Sequence, residues 1–257
     1  MSTLTCIESY LDKNKNHYGC FLIEPLEVGQ GVTLGNALRR TILSDLSGYA
    51  ISGVRINNLK HEFSIIEGLR EDVLEVLFNL KEIIFKKSSS FQPEKELFKV
   101  KGFLHAKGPL IVTAGMFELP KDYLTILNPN LYLCTIIDNS ELYLEIDIEN
   151  GKGYQLSEEI RKEKIEKDTF SGKYPSTFFL DTLFMPIKKI NYKIKLIYDT
   201  QGNIKESLTF EIITNGSITP KRAIQEGLKI LINLFSSLFL TPNFFDISNS
   251  INKKTNL

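Results

Sequence analysis

Thr219-Pro-Lys-Arg-Ala-Ile-Gln-Glu-Gly-Leu-Lys-Ile-Leu-Ile-Asn-Leu-Phe-Ser-Ser-Leu-Phe-Leu240 is the stretch whose reading decides the fold. Thr219 is a good capping residue. Pro220 follows at the first helical position, where its missing N–H costs nothing. Ile224, Leu228, Leu231, Phe235 and Leu238 then recur at helical spacing, and Ile230, Leu234 and Phe239 widen the stripe. The apolar arc is too broad for packing on one side of a single domain. It predicts a helix with a second partner surface, of which a homodimer is the simplest form. The competing reading is a helix buried all round inside its own chain, and periodicity does not separate the two.

Upstream of this helix, Tyr192–Tyr198 and Ser207–Ile213 read as a hairpin around Gln201-Gly202-Asn203. Leu142, Leu144, Ile146 and Ile148 alternate with Tyr143, Glu145 and Asp147, the period of a half-buried strand. The region from Leu97 to Glu149 reads mostly as strand, and Tyr18–Ile23 and Tyr49–Leu59 as two more. A helix follows the turn Gly29-Gln-Gly31, with Thr33 as its cap and Leu34, Leu38, Ile42 and Leu46 on one face. Arg39 and Arg40 project away from that face. A second helix is expected over Leu69–Phe85, with Leu69, Val73, Val76, Leu77, Leu80 and Ile84 as its buried stripe. Ser157–Lys173 is highly charged and reads as an exposed connection. The fold class is therefore α+β.

Composition narrows the function classes. Of 257 residues, 42% are hydrophobic and 24% charged, which fits a chain with a real core. Lys plus Arg and Asp plus Glu are 31 each, so no global basic excess exists to neutralise nucleic-acid phosphates. The three cysteines, Cys6, Cys20 and Cys134, lack metal-ligand spacing and read as free thiols. Met1–Tyr10 lacks the pattern of a signal peptide. The most apolar run, Ile230–Leu240, is interrupted by Asn233, Ser236 and Ser237 and is too short for a bilayer span, so no membrane partner is expected.

The candidate chemistry is sparse. His17, His61 and His105 show no metal spacing. Gly29-x-Gly31-x-x-x-Gly35 before a helix resembles a phosphate loop, but it departs from the dinucleotide pattern and lacks the Lys-Ser/Thr of a P-loop. A nucleotide- or phosphate-binding enzyme using Gly29–Gly35 is the alternative function. The structural reading is a tight turn feeding a helix, with Gly35 permitting close packing. Asp138, Glu141, Glu145, Asp147 and Glu149 are read as lining a solvated face. No catalytic residue, metal site or cofactor is expected.

Specific blocks carry a resemblance. Thr33-Leu-Gly-Asn-Ala-Leu-Arg-Arg-Thr-Ile-Leu43 closely resembles the first helix of bacterial and plastid RNA polymerase alpha subunits. His61-Glu-Phe-Ser64 and Glu67-Gly-Leu-Arg-Glu-Asp-Val-Leu-Glu-Val-Leu-Phe-Asn-Leu-Lys81 resemble the next block. Gly108-Pro109 with Thr113-Ala-Gly115, and Asn128-Pro129 with Gly151-Lys-Gly-Tyr154, are similar to an inserted domain. Phe184-Met-Pro-Ile187 with Asn191-Tyr192, and Thr214-Asn-Gly-Ser-Ile-Thr-Pro220, resemble the return to the first domain. The blocks stand in family order, cover most of residues 18–240, and look more plastid than bacterial.

The resemblance implies a discontinuous dimerisation domain over 1–47 and 174–240, with helices on an antiparallel sheet. It implies an inserted β-rich domain over 48–173 and a polar tail over 241–257. It gives Leu38, Ile42, Leu228, Leu231 and Phe235 to a homodimer interface, Arg40 with Arg39 and Leu43 to a beta-type subunit, and Glu75 and Lys81 to a beta-prime-type subunit. The family's catalysis belongs to those larger subunits, so this chain is expected to be non-catalytic and to meet DNA only through the complex. Alpha subunits commonly carry a separate C-terminal DNA-binding domain, and this chain stops about where its linker would begin. The implied location is the plastid (chloroplast stroma), with the bacterial cytoplasm as alternative.

Overall fold

The computed structural model describes residues 2–13, 15–57, 59, 61–88, 99–120, 123–167 (165–167 by backbone alone) and 177–240. In chain order the elements are β1 (Thr3–Leu11), β2 (His17–Leu26), α1 (Gln30–Ser44), β3 (Ser47–Ile56), α2 (Val73–Lys81), β4 (Phe85–Lys87), β5 (Lys99–Lys107) and β6 (Leu110–Thr113). After a 3-10 turn at Ala114–Met116 come β7 (Leu124–Ile126), β8 (Tyr132–Ile136), β9 (Glu141–Lys152), β10 (Tyr154–Gln155) and α3 (Ser157–Lys167). The chain then runs through β11 (Phe178–Phe179), β12 (Thr182–Leu183), β13 (Ile187–Tyr198), β14 (Ile204–Thr214) and α4 (Pro220–Phe239). The expected tail over 241–257 lies outside the described residues.

Two four-stranded antiparallel sheets organise the α+β fold. The first has the order β1-β2-β14-β13, so strands from the two ends of the chain lie side by side. Its inward residues Phe21, Phe210, Ile190 and Ile212 meet Leu38 and Ile42 of α1 and Ile224 of α4 in one buried cluster. The second has the order β11-β3-β9-β5. Its inner face packs under α2 and the smaller strand pairs, around Val54, Val76, Leu80, Leu104 and Ile146.

The local signals explain most of these elements. Thr219 caps α4, accepting from the Arg222 N–H at 3.4 Å with Pro220 next in line. The β13–β14 hairpin is longer than its sequence pattern, pairing from Ile187↔Thr214 to Tyr198↔Ile204. In β9, Leu142, Leu144, Ile146 and Ile148 are all buried, as the alternation predicts.

Four expectations are corrected. Helix α1 begins at Gln30, not after Thr33, because Gly29 adopts a left-handed φ of 90° that L side chains disfavour and turns the chain directly into the helix. Helix α2 is shorter than Leu69–Phe85: Leu69 bridges to Ile136, the Arg70 N–H donates to the Thr135 carbonyl at 3.0 Å, and Phe85 pairs with Ile126. Those apolar residues are inward-facing whether extended or helical, so spacing alone misplaced the ends. Of the expected connection Ser157–Lys173, Ser157–Lys167 is a helix with Ile160 as a buried apolar anchor, and 168–173 lie outside the described residues. Finally, Asp147 is not solvated but fully buried, for reasons given below.

Candidate subunit interfaces

Helix α4 divides into two halves. In the first, Ala223, Ile224 and Gly227 are buried against α1. The glycine makes that approach possible, since a Cβ at 227 would stand 2.7 Å from Ile42 Cγ1. Leu38 and Ile42 are 0% exposed. Their surface is already filled by the chain's own α4, which corrects the direct intermolecular contact expected of them: here they are the support beneath the helix. Leu228 and Leu231 sit half-buried at the edge of this core. Beyond them the apolar side chains of the helix are exposed. Ile232, Leu234, Phe235, Leu238 and Phe239 are between 53% and 73% exposed. A continuous apolar surface of this kind marks an interaction site.

Helix α1 presents Arg39 and Arg40 outward. Both are exposed, and neither guanidinium makes a hydrogen bond or ion pair among the described residues. Leu43, grouped with them from the sequence, is half-buried against the α1–α4 core. The turn before α1 does not behave as a phosphate loop. The Gly29 N–H donates to Glu206 Oε1 at 2.9 Å, and the Gly31 N–H to Glu206 Oε2 at 2.8 Å. An entering phosphate would have to displace a carboxylate from the same donors. Gly35 has the packing role expected of it, with a Cβ there only 2.9 Å from the Tyr192 ring.

On α2, Glu75 is exposed and makes no hydrogen bond or ion pair among the described residues. Lys81 is engaged. Its Nζ lies 3.4 Å from Asp181 Oδ2 and 5.5 Å from the centre of the Phe78 ring. Asp181 also accepts the Ser157 N–H at 2.8 Å, at the start of α3. That N–H, with Lys81 helping, holds the Asp181 carboxyl below the usual carboxylate range. Asp181 carried no sequence signal. Beside this pair opens a cleft of about 810 Å³, lined by Tyr49, Lys81, Phe85, Asp181, Thr182 and Phe184 among others. Phe78, 62% exposed, adds apolar surface to α2.

The carboxylates of β9 are spent on structure. Arg55 Nε donates to Glu145 Oε2 at 2.8 Å, and Arg55 Nη2 to Asp147 Oδ1 at 3.1 Å. Lys99 reaches Asp147 at 3.3 Å, and Lys101 reaches Glu145 at 2.7 Å. From α3, Lys164 reaches Glu149 at 2.9 Å and Ser52 Oγ at 3.1 Å, and lies over the Phe179 ring. Burial pulls the Lys164 ammonium pKa down against the pull of Glu149. A face that reads as wet is thus covered by a charged helix through ion pairs. Among the described residues no group of three or more His, Cys, Asp or Glu is placed to hold a metal. The three thiols are unpaired, and burial pushes that of Cys134 up to about 12. Among the described residues no helix is long and apolar enough to cross a membrane.

The sequence is similar to those of known proteins. Residues 54–175 match the family model of the RNA polymerase Rpb3/RpoA insert domain. The DNA-directed RNA polymerase subunit alpha of Pyropia yezoensis is 46% identical over 237 residues, covering 91% of this chain and 70% of that protein. Those of Thalassiosira pseudonana and Trichormus variabilis are 43% and 39% identical over 235 residues, each again covering 91% of this chain and 70% of the relative. On the strength of these matches, the chain belongs to the DNA-directed RNA polymerase alpha subunits.

Proposed function

We propose that this chain is a non-catalytic scaffold of a plastid RNA polymerase, which homodimerises and then gathers the beta- and beta-prime-type subunits. The observation that carries the reading is the exposed apolar half of α4, standing directly beyond a filled core. The dimer surface would run from Leu228 and Leu231 through Phe235 to Leu238. The dimerisation domain would comprise 1–47 and 174–240, and the inserted domain 48–173. The two sheets with their separate buried clusters support a division of this kind, although Phe178–Phe179 and Leu180, on the dimerisation side of the proposed boundary, pack with the sheet of the inserted domain. The relatives from red algae and a diatom support a plastid location. Equal numbers of acidic and basic residues fit contact with DNA through the complex rather than by this chain alone.

Arg40, with Arg39 beside it, would grip the beta-type subunit. A guanidinium without partners among the described residues is available to pair bidentately with carboxylates or carbonyls of a second protein. Glu75 and the Lys81–Asp181 pair would face the beta-prime-type subunit. Arg40→Ala is expected to leave the sedimentation of the chain unchanged and to weaken capture of the beta-type subunit by about tenfold or more, the scale of an interface anchor. Capture at wild-type affinity in a titrated pull-down would remove Arg40 from the interface.

A further inference from the structure

Helix α1 starts without any cap of its own. Gly29 offers no side chain, and the first turn holds no acidic residue. The unsatisfied N–H groups at a helix start, with the positive end of the helix dipole, favour an anion there. The chain supplies one from about 175 residues away. Glu206 lies in β14 where the pairing with β2 shifts register, Glu206 facing Leu26 and Leu208 facing Ile23. This irregularity aims its carboxylate at the Gly29 and Gly31 N–H groups, at 2.9 and 2.8 Å. The side chain is buried, and these two N–H groups are its hydrogen-bond donors among the described residues. Gly31 leaves room for it, since a Cβ there would meet Glu206 Oε2 at 2.7 Å. The preceding residue, Lys205, pairs with Glu27 at 2.5 Å and ties the same turn a second time.

We propose that Glu206 is the positioning residue of α1: its carboxylate replaces an N-cap side chain, fixes where the helix begins, and thereby sets where Arg39 and Arg40 stand. The consequence for partner capture rests on the scaffold reading; the capping stands on geometry alone. The test uses the whole chain as wild type, Glu206→Ala and Gly31→Ala. Amide exchange is followed by mass spectrometry in sodium formate and in sodium chloride of equal ionic strength, and capture of the beta-type subunit is measured alongside. Glu206→Ala is expected to speed exchange over residues 29–34 by about tenfold or more, with α4 and β9 unchanged. Formate, a free carboxylate, should restore protection where chloride does not. Gly31→Ala should loosen the same residues with Glu206 still present.

Exchange within about twofold of wild type in Glu206→Ala would overturn the proposal. So would loosening spread evenly over the chain, or loosening that formate fails to reverse, since either makes Glu206 a packing residue. Capture that falls in Glu206→Ala and returns with formate would join the cap to the partner contact. A loosened, formate-sensitive α1 with normal capture would keep Glu206 as the cap and remove α1 as the beta-type contact, so the two failures are told apart.

Discussion

Phe235→Asp is expected to convert a dimer to a monomer while leaving each chain folded. Phe235 is 62% exposed and lies two turns beyond Gly227, the last residue of α4 that is buried. At such a position the single chain loses little, since surface substitutions usually fall within about 0.5 kcal/mol. In a dimer the same carboxylate would enter an apolar interface with no partner, at a cost of several kcal/mol. At roughly 3 kcal/mol the association constant falls about a hundredfold, because each 1.4 kcal/mol is tenfold. Sedimentation equilibrium across a dilution series reads this directly, with thermal unfolding of the monomeric variant as the check on folding. The contrasting control is Leu38→Ala, which removes a fully buried side chain and should cost the chain itself about 2–5 kcal/mol. If Phe235→Asp sediments as the wild-type dimer does, the interface lies off this helix. A wild-type chain that stays monomeric at high concentration would end the scaffold reading.

The contrast between these two variants shows what periodicity carries and what it does not. The stripe Ile224, Leu228, Leu231, Phe235, Leu238 is legible as one apolar face. Yet the sequence cannot say that its first part is buried against α1 and its last part is largely exposed, because the depth of a neighbouring helix is a tertiary quantity. Leu38 and Ile42, which the family resemblance gives to the dimer interface, lie on the same apolar face and inside the chain's own core. The start of α4 was legible for the opposite reason: Thr219 and Pro220 act on their immediate neighbours, within one turn.

Charged residues were the least legible. Glu206 falls just before the strand pattern Ser207–Ile213, and nothing in its neighbourhood points to Gly29 and Gly31. The strand β1 has no signature in the sequence. All nine of its residues are exposed, so it lacks the one-sided burial that produces a pattern. Helix α3 fails in the same way, with Ile160 as its buried apolar residue. Arg40 and Glu75 are exposed and make no hydrogen bond or ion pair among the described residues, whereas Lys81 is engaged by Asp181. In Asp147 the ambiguity is complete: a carboxylate at an alternating position looks the same whether water or Arg55 faces it.

That residue carries the second large effect. Arg55→Met keeps most of the side-chain stem and removes the guanidinium that bridges Glu145 at 2.7 Å and Asp147 at 3.1 Å. Asp147, with its side chain 1% exposed, would be left to Lys99 at 3.3 Å, an ammonium that Glu149 shares at 3.7 Å. Breaking a buried pair from one side costs about 3–5 kcal/mol, because the remaining charge keeps its desolvation penalty. For a protein of this size that is roughly a 6–20 °C fall in melting temperature. The double variant Arg55→Met/Asp147→Leu should recover most of the loss, since removing both charges also removes the penalty. The pH dependence supplies an independent signature. Hydrogen bonding to Arg55, with Lys101 second, holds the Glu145 carboxyl at about 2, below its ordinary 4.5. A depressed folded-state pKa gives stability that is fully present above about 4.5 and is lost as pH falls towards 2. Arg55→Met should therefore flatten the acid limb of the stability curve between those values as well as lower its plateau. A variant within about 1 kcal/mol of wild type, with an unchanged acid limb, would mean that the guanidinium neither balances Asp147 nor holds Glu145 ionised.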